Sequence, residues 1–199
     1  MDERLIELKE LCNQYPPDMK RINEELDKIN DFNIFYSAYG PIEEEGYVWL
    51  YNDFLAAFIS EYLEVINKDR FGYYTYDSIA GEWHFNEPKE EKTELNREHY
   101  AVDIIRLFLR KGYDMRAVDG KVGASCLDAL VYSNFNDDMV EVARMLMDAG
   151  ANPFLEDEDG DSPYESLLCH DSGDLGYVDP YLDNDRALME FYILCQELM

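Results

Sequence analysis

The stretch Glu156 to Glu165, "EDEDGDSPYE", alternates carboxylates at Asp157, Asp159 and Asp161 and adds Glu165. Oxygen-rich sets of this kind bind calcium. An EF-hand loop, however, places Gly at its sixth position and a bidentate Glu at its twelfth. Counted from Asp157, Gly160 is fourth and Glu165 ninth, so the spacing fails and the run reads as a solvated turn tip. A second candidate is Cys169, His170 and Asp171, which are nucleophile, base and orienting acid by type. Neighbours in sequence diverge around a helix, whereas triad members meet through the fold. Only three histidines occur (His84, His99, His170), and there is no GxGxxG, P-loop or HExxH pattern. Nucleotide and zinc chemistry therefore have nothing to rest on. The expectation is a protein that is not an enzyme, with no catalytic residue, no metal and no cofactor.

The elements that would position these residues repeat. "VDIIRLFLRKG" (Val102 to Gly112) lies over "VEVARMLMDAG" (Val140 to Gly150) without a gap. Ile104 matches Val142, Leu107 Met145, Phe108 Leu146, Leu109 Met147 and Arg106 Arg144, at helical spacing, and each copy ends in a Gly suited to a helix C-terminus. Beyond the glycines Asp119 faces Asp157, and Ser125 faces Ser162 once one extra residue is allowed before Gly123. Ser162 is placed to cap a helix, and Pro163 at its first position forfeits no hydrogen bond. A repeat of this length is a mark of stacked helical units.

This pattern resembles the ankyrin repeat. Leu146-Met147, Gly150-Ala151-Asn152, Asp157, Gly160 and Ser162-Pro163-Tyr164 stand at the family's places. So do Phe108-Leu109, Gly112-Tyr113-Asp114, Asp119, Gly123 and Ser125-Cys126-Leu127, with departures at Ala, at Pro and in loop length. The resemblance covers Tyr100 to Leu168 and implies an all-α fold, an ankyrin-like helical-repeat solenoid of about four helix pairs in one domain, 1–199. Helical period extends it to degenerate N-terminal helices over 1–68, with an outer helix in Asp18 to Asp31, where Ile29 replaces the family's Gly. Tyr47 to Asn67 reads as one long or two broken helices. Asp183 to Leu198 would close the stack, capped by Asp183 or Asp185, after a turn-rich loop at Gly173 to Pro180; residues 171–199 thus hold a loop and a capping helix, and 95–170 the clearest repeats. Between them 69–94 forms an insertion. Phe71, Tyr73, Tyr74, Tyr76, Trp83 and Phe85 flank "DSIAG" there, which predicts a β-hairpin followed by a polar linker.

Seventeen Lys+Arg against 44 Asp+Glu leave a net charge of −27, while 47% of the chain is hydrophobic and 14% aromatic. The acid therefore decorates a packed body and repels nucleic-acid phosphates and anionic lipid. Four dispersed cysteines without a CxxC pair, a charged N-terminus and no long apolar run predict a cytoplasmic protein with reduced thiols. The expected role is binding of a basic protein partner by a chain that is monomeric when free. The resemblance places Asp119, Lys121, Asp128, Tyr132, Glu156, Glu158, Asp159, Asp161 and Glu165 near a concave binding surface, and Tyr74, Tyr76 and Trp83 on the insertion would add aromatic anchors. Some small, acidic ankyrin-like proteins look like immunity proteins that neutralise a toxin, which makes that the narrower reading. The alternative is a structural adaptor of a larger complex, its charge serving solubility.

Overall fold

Asp18, just ahead of the buried pair Ile22 and Leu26, accepts a hydrogen bond from the Arg21 N–H at 3.0 Å and starts a helix there. The same rule of a polar starter before apolar residues recurs at Asp53, Ser125 and Ser162. The computed structural model describes residues 3–36, 39–44, 47–51, 53–71, 73–77, 82–86, 97–118, 125–131, 137–157, 160–169 and 183–199. These are mostly helical: α1 (Glu3–Asn13), α2 (Met19–Asp27), α3 (Phe54–Phe71), α4 (Arg97–Arg110), α5 (Cys126–Val131), α6 (Asp137–Asp148), α7 (Pro163–Cys169) and α8 (Asp183–Gln196). Two antiparallel ribbons accompany them, β1 (Tyr39–Glu44) with β2 (Tyr47–Tyr51) and β3 (Tyr73–Asp77) with β4 (Glu82–Asn86).

Helix neighbours alternate along the chain. α1, α3, α5 and α7 touch in succession, α2, α4, α6 and α8 do the same, and helices of the two successions meet at α1 with α2, α3 with α4, α5 with α6 and α7 with α8. One hydrophobic cluster runs from Leu5 to Cys195. Its centre is aromatic. Phe35, Phe54 and Phe108 lie with ring centroids 5.3 to 5.6 Å apart, and Tyr113 joins them at 5.7 Å from Phe35 and 5.9 Å from Phe108.

The ends of α4 and α6 are built alike. The Tyr113 N–H donates to the Phe108 carbonyl at 3.1 Å and the Gly112 N–H to that of Leu109 at 3.1 Å; Ala151 to Leu146 (2.9 Å) and Gly150 to Met147 (2.9 Å) repeat the pattern. This paired closure needs a left-handed residue, which Gly112 (φ +99°) and Gly150 (φ +106°) supply. Asp114 then accepts from the Arg116 N–H at 3.0 Å and Asn152 from the Phe154 N–H at 3.0 Å, so each turn is set by a short acceptor side chain.

Two expectations need correction. Tyr47 to Tyr51 is strand β2, not the start of a helix that runs to Asn67. "YVWLY" carries the aromatic and β-branched residues that fit a pleated surface, and its uninterrupted apolar run hides the change of period. The Tyr51 hydroxyl ties the strand back to α3 through Ser60 at 2.6 Å. The insertion also starts later than Asp69, because α3 continues to Phe71. The loop at Gly173 to Pro180 lies outside the described residues.

A Cβ added to Gly150 would lie 2.7 Å from Arg116 Cγ, whereas at Gly112 it would meet nothing within 4 Å. Ala at either position is expected to cost about 1–2 kcal/mol for its left-handed backbone. Gly150→Ala should lose more than Gly112→Ala, because Arg116 must also move. Denaturant unfolding of the two variants side by side checks this, and equal losses would mean that the Arg116 contact is not felt.

Candidate functional site: acidic turns beside a buried carboxylate

The acidic run closes on itself. The Asp157 N–H donates to the Asp161 carbonyl at 2.8 Å, the Asp161 N–H to Asp157 Oδ1 at 3.1 Å, and the Gly160 N–H, at φ +86°, to the Asp157 carbonyl at 3.3 Å. Among the described residues no group of three His, Cys, Asp or Glu side chains comes together to hold a metal. Immediately after the turn, α7 opens with a reciprocal cap. Glu165 Oε2 accepts from the Ser162 hydroxyl at 2.8 Å and the Ser162 N–H at 3.2 Å, while the Ser162 hydroxyl oxygen accepts from the Glu165 N–H at 3.3 Å. α5 opens in the same way: Asp128 Oδ2 accepts from the Ser125 hydroxyl at 2.7 Å and N–H at 2.8 Å, and the Ser125 hydroxyl from the Asp128 N–H at 3.2 Å.

This second cap corrects one expectation. Asp128 is not part of an exposed binding surface; it is 5% exposed and turned into its own helix start. Burial pushes its carboxyl above the usual range, the Ser125 hydrogen bonds pull it back, and the charges of Asp157 and Asp161 push it up again. Acids of the turn before α7 thus act on the first turn of α5. Glu156, Asp161 and Glu165 are exposed, and Glu165 also serves its cap. Tyr74 and Tyr76 stand on β3 and Trp83 on β4. Asp119, Lys121, Tyr132, Glu158 and Asp159 lie outside the described residues, as do His170 and Asp171 beyond Cys169 at the end of α7.

Sequence reasoning missed the polar group that is most enclosed among the described residues. Asp53, with no exposed surface, sits at the start of α3 and accepts from the Ala56 N–H at 2.9 Å. The Cys126 thiol donates to its two oxygens at 3.6 and 3.8 Å, and the Tyr113 hydroxyl bonds to it as well. That hydroxyl also receives the Leu55 N–H at 3.4 Å. Three segments distant in sequence, the starts of α3 and α5 and the turn after α4, are thereby joined. Burial raises Asp53 above the carboxylate range, outweighing the bonds from Ala56, Tyr113 and Cys126. Burial also raises Tyr113 and Cys126, with the Asp53 charge adding to both. A thiol held protonated in a closed site is a poor nucleophile and a poor metal ligand; Cys195, pushed up to about 12 by burial, is no better. The signal was present as Asp53-Phe54-Leu55-Ala56, a polar starter before an apolar pair like Ser125-Cys126-Leu127-Asp128.

Comparison with known proteins returned no match to a family model, a curated protein or a solved structure.

Because its folded value is raised, Asp53 is neutral in both states below about pH 3.9 and adds no penalty there. As pH rises through the folded value, the unfolded chain holds fewer protons at this site than the folded one, so stability falls. Asp53→Asn, which keeps an acceptor for the Ala56 N–H, should therefore gain on the natural chain in denaturation midpoint as pH rises from 4 to 8, whereas Asp53→Ala should lose about 1–2 kcal/mol with the cap. A difference between the Asp53→Asn variant and the natural chain that stays constant with pH would refute the titration.

Proposed function

We propose that this chain is a non-catalytic protein-interaction module, an ankyrin-like stack of four helix pairs that binds a basic protein through its acidic turns. Its narrower form is an immunity protein that neutralises a toxin. The observation that carries the reading is the acid gathered before α7, where Glu156 and Asp161 are exposed and Asp157 and Asp161 bear on Asp128 in the first turn of α5. The stack reading is supported by the matched closures at Gly112 and Gly150 and the matched caps at Ser125 and Ser162.

Cations are engaged elsewhere. Lys111 pairs with Asp27 between α4 and α2, Arg106 with Glu141 between α4 and α6, and Arg186 with Asp137 between α8 and α6 at 2.6 Å. Lys9 reaches Glu61 from α1 to α3, and Arg21 reaches Glu7 at 2.7 Å. With these cations drawn between helices, the −27 net charge projects outward and steers a positively charged partner. A nuclease toxin fits that field, since carboxylates can take the place of phosphate in its basic groove.

The test is kinetic. A partner recovered from the source cell should associate tenfold or more slowly in 1 M salt than at physiological salt, as the Debye length contracts from about 8 Å to roughly 3 Å, while dissociation changes less. Glu156→Gln with Asp161→Asn should slow association without lowering Tm appreciably. An association rate indifferent to salt and to both changes would favour the adaptor reading instead.

A further inference from the structure

The Tyr164 N–H donates to the Pro153 carbonyl at 2.9 Å, so the chain that leaves at Pro153 returns to the same point after the acidic run, whose far end the Asp157 and Asp161 bonds close. Rings mark the neck of this loop. Phe154 and Tyr164 lie with centroids 5.3 Å apart, and Tyr164 stacks on Tyr192 of α8 at 5.6 Å with 15° between the ring planes. Phe154 and Tyr164 pack on the edge of the core cluster, whereas Tyr192 lies on Tyr164 without entering that cluster. All three rings are half-buried, and Ile193 beside Tyr192 is 47% exposed.

Two features suit the tyrosine pair to anchoring a partner. First, it is held in place: Gln196 Nε2 donates to the Tyr192 hydroxyl at 2.6 Å, and the Tyr164 hydroxyl donates to it at 3.5 Å. Half-exposed rings fixed in advance offer contact area at little ordering cost on binding. Second, the end of the chain that carries the pair has acid without matching base. From Met145 to Met199 the one Lys or Arg is Arg186, and it is bound to Asp137 of α6 at 2.6 Å. Glu156 and Asp161 on the loop and Glu190 on α8 are exposed, and among the described residues no Lys or Arg pairs with them. A guanidinium meets both features, since it can lie flat on a phenol ring while its edge donates to carboxylates. A second copy of a chain with net charge −27 is repelled, and nucleic acid, which also stacks on rings, finds no basic groove here.

We infer that the Tyr164–Tyr192 pair anchors an arginine of the basic protein partner, with the guanidinium against the Tyr192 ring and the acidic end of the chain drawing it in. This rests on the interaction reading above and deepens it: acid sets the approach, and the ring pair selects arginine over lysine.

Titration calorimetry of the full chain with an arginine-only decapeptide and a lysine-only decapeptide, at about 0.15 M salt, tests it. The arginine peptide should bind about threefold more tightly than the lysine peptide. Tyr192→Leu, which keeps apolar bulk but removes the ring, should abolish that preference, whereas Tyr192→Phe should retain most of it. Glu156→Gln with Asp161→Asn should weaken both peptides alike and leave their ratio unchanged. Tyr15→Leu, at a 41% exposed ring after α1, should alter neither affinity. Melting curves taken in parallel confirm that each variant is folded. Equal affinity of the two peptides for the natural chain, or a preference for arginine that survives Tyr192→Leu, would overturn the anchor and leave the acidic-surface reading standing. Failure of both peptides to bind would overturn both.

Discussion

Among the described residues α3, α5 and α7 begin beside the core, and a helix start carries amide N–H groups that no intrahelical carbonyl can receive. Left buried and unmet, each such group costs free energy comparable to a lost hydrogen bond. The chain meets that constraint at these three starts with polar side chains: Asp53 for α3, Ser125 with Asp128 for α5, and Ser162 with Glu165 for α7. Each cap offsets part of the cost of burying a helix start, by about 1–2 kcal/mol.

The caps differ in what they join. Those of α5 and α7 are closed locally, within four residues. Asp53 instead draws in Cys126 from α5 and Tyr113 from the turn after α4. It does so beside the aromatic centre, where Phe54 stacks on Phe108 at 5.4 Å and Tyr36 lies 5.1 Å from Tyr113. The Tyr36 hydroxyl receives the Asp114 N–H at 2.7 Å, so the turn after α4 is held from two sides. A neutral, fully satisfied polar group can sit in such a core, whereas an ionised one is penalised by desolvation.

Surface charge follows from the same arrangement. Cations between helices match carboxylates at the joints, with individual exposed pairs contributing little to stability. What they do is leave the turns acidic. A field of this kind is long-ranged and acts on the rate of encounter more than on residence time.

Much of this was legible in the residues alone. The helix that Gly150 closes, the glycine closures at Gly112 and Gly150, and the cap at Ser162 follow from local rules, because the spacing of apolar residues and the choice of Gly or Ser answer to neighbours a few positions away. The acidic character is likewise a property of composition. Tyr47 to Tyr51 was illegible, since an all-apolar stretch suits a buried helix and a strand alike. Asp128 looked like a surface acid, because nothing in one sequence says that its carboxylate faces its own helix start. Asp53 was hidden for a related reason: its partners Tyr113 and Cys126 are far away along the chain. The ribbon register, which sets Tyr74 opposite Phe85 and Tyr76 opposite Trp83, depends on how β3 and β4 meet. The sequence by itself determined the local starts, stops and charge; only the tertiary structure decided which polar groups are buried together and which rings share a face, because burial and register are set by contacts between segments and not by any one of them.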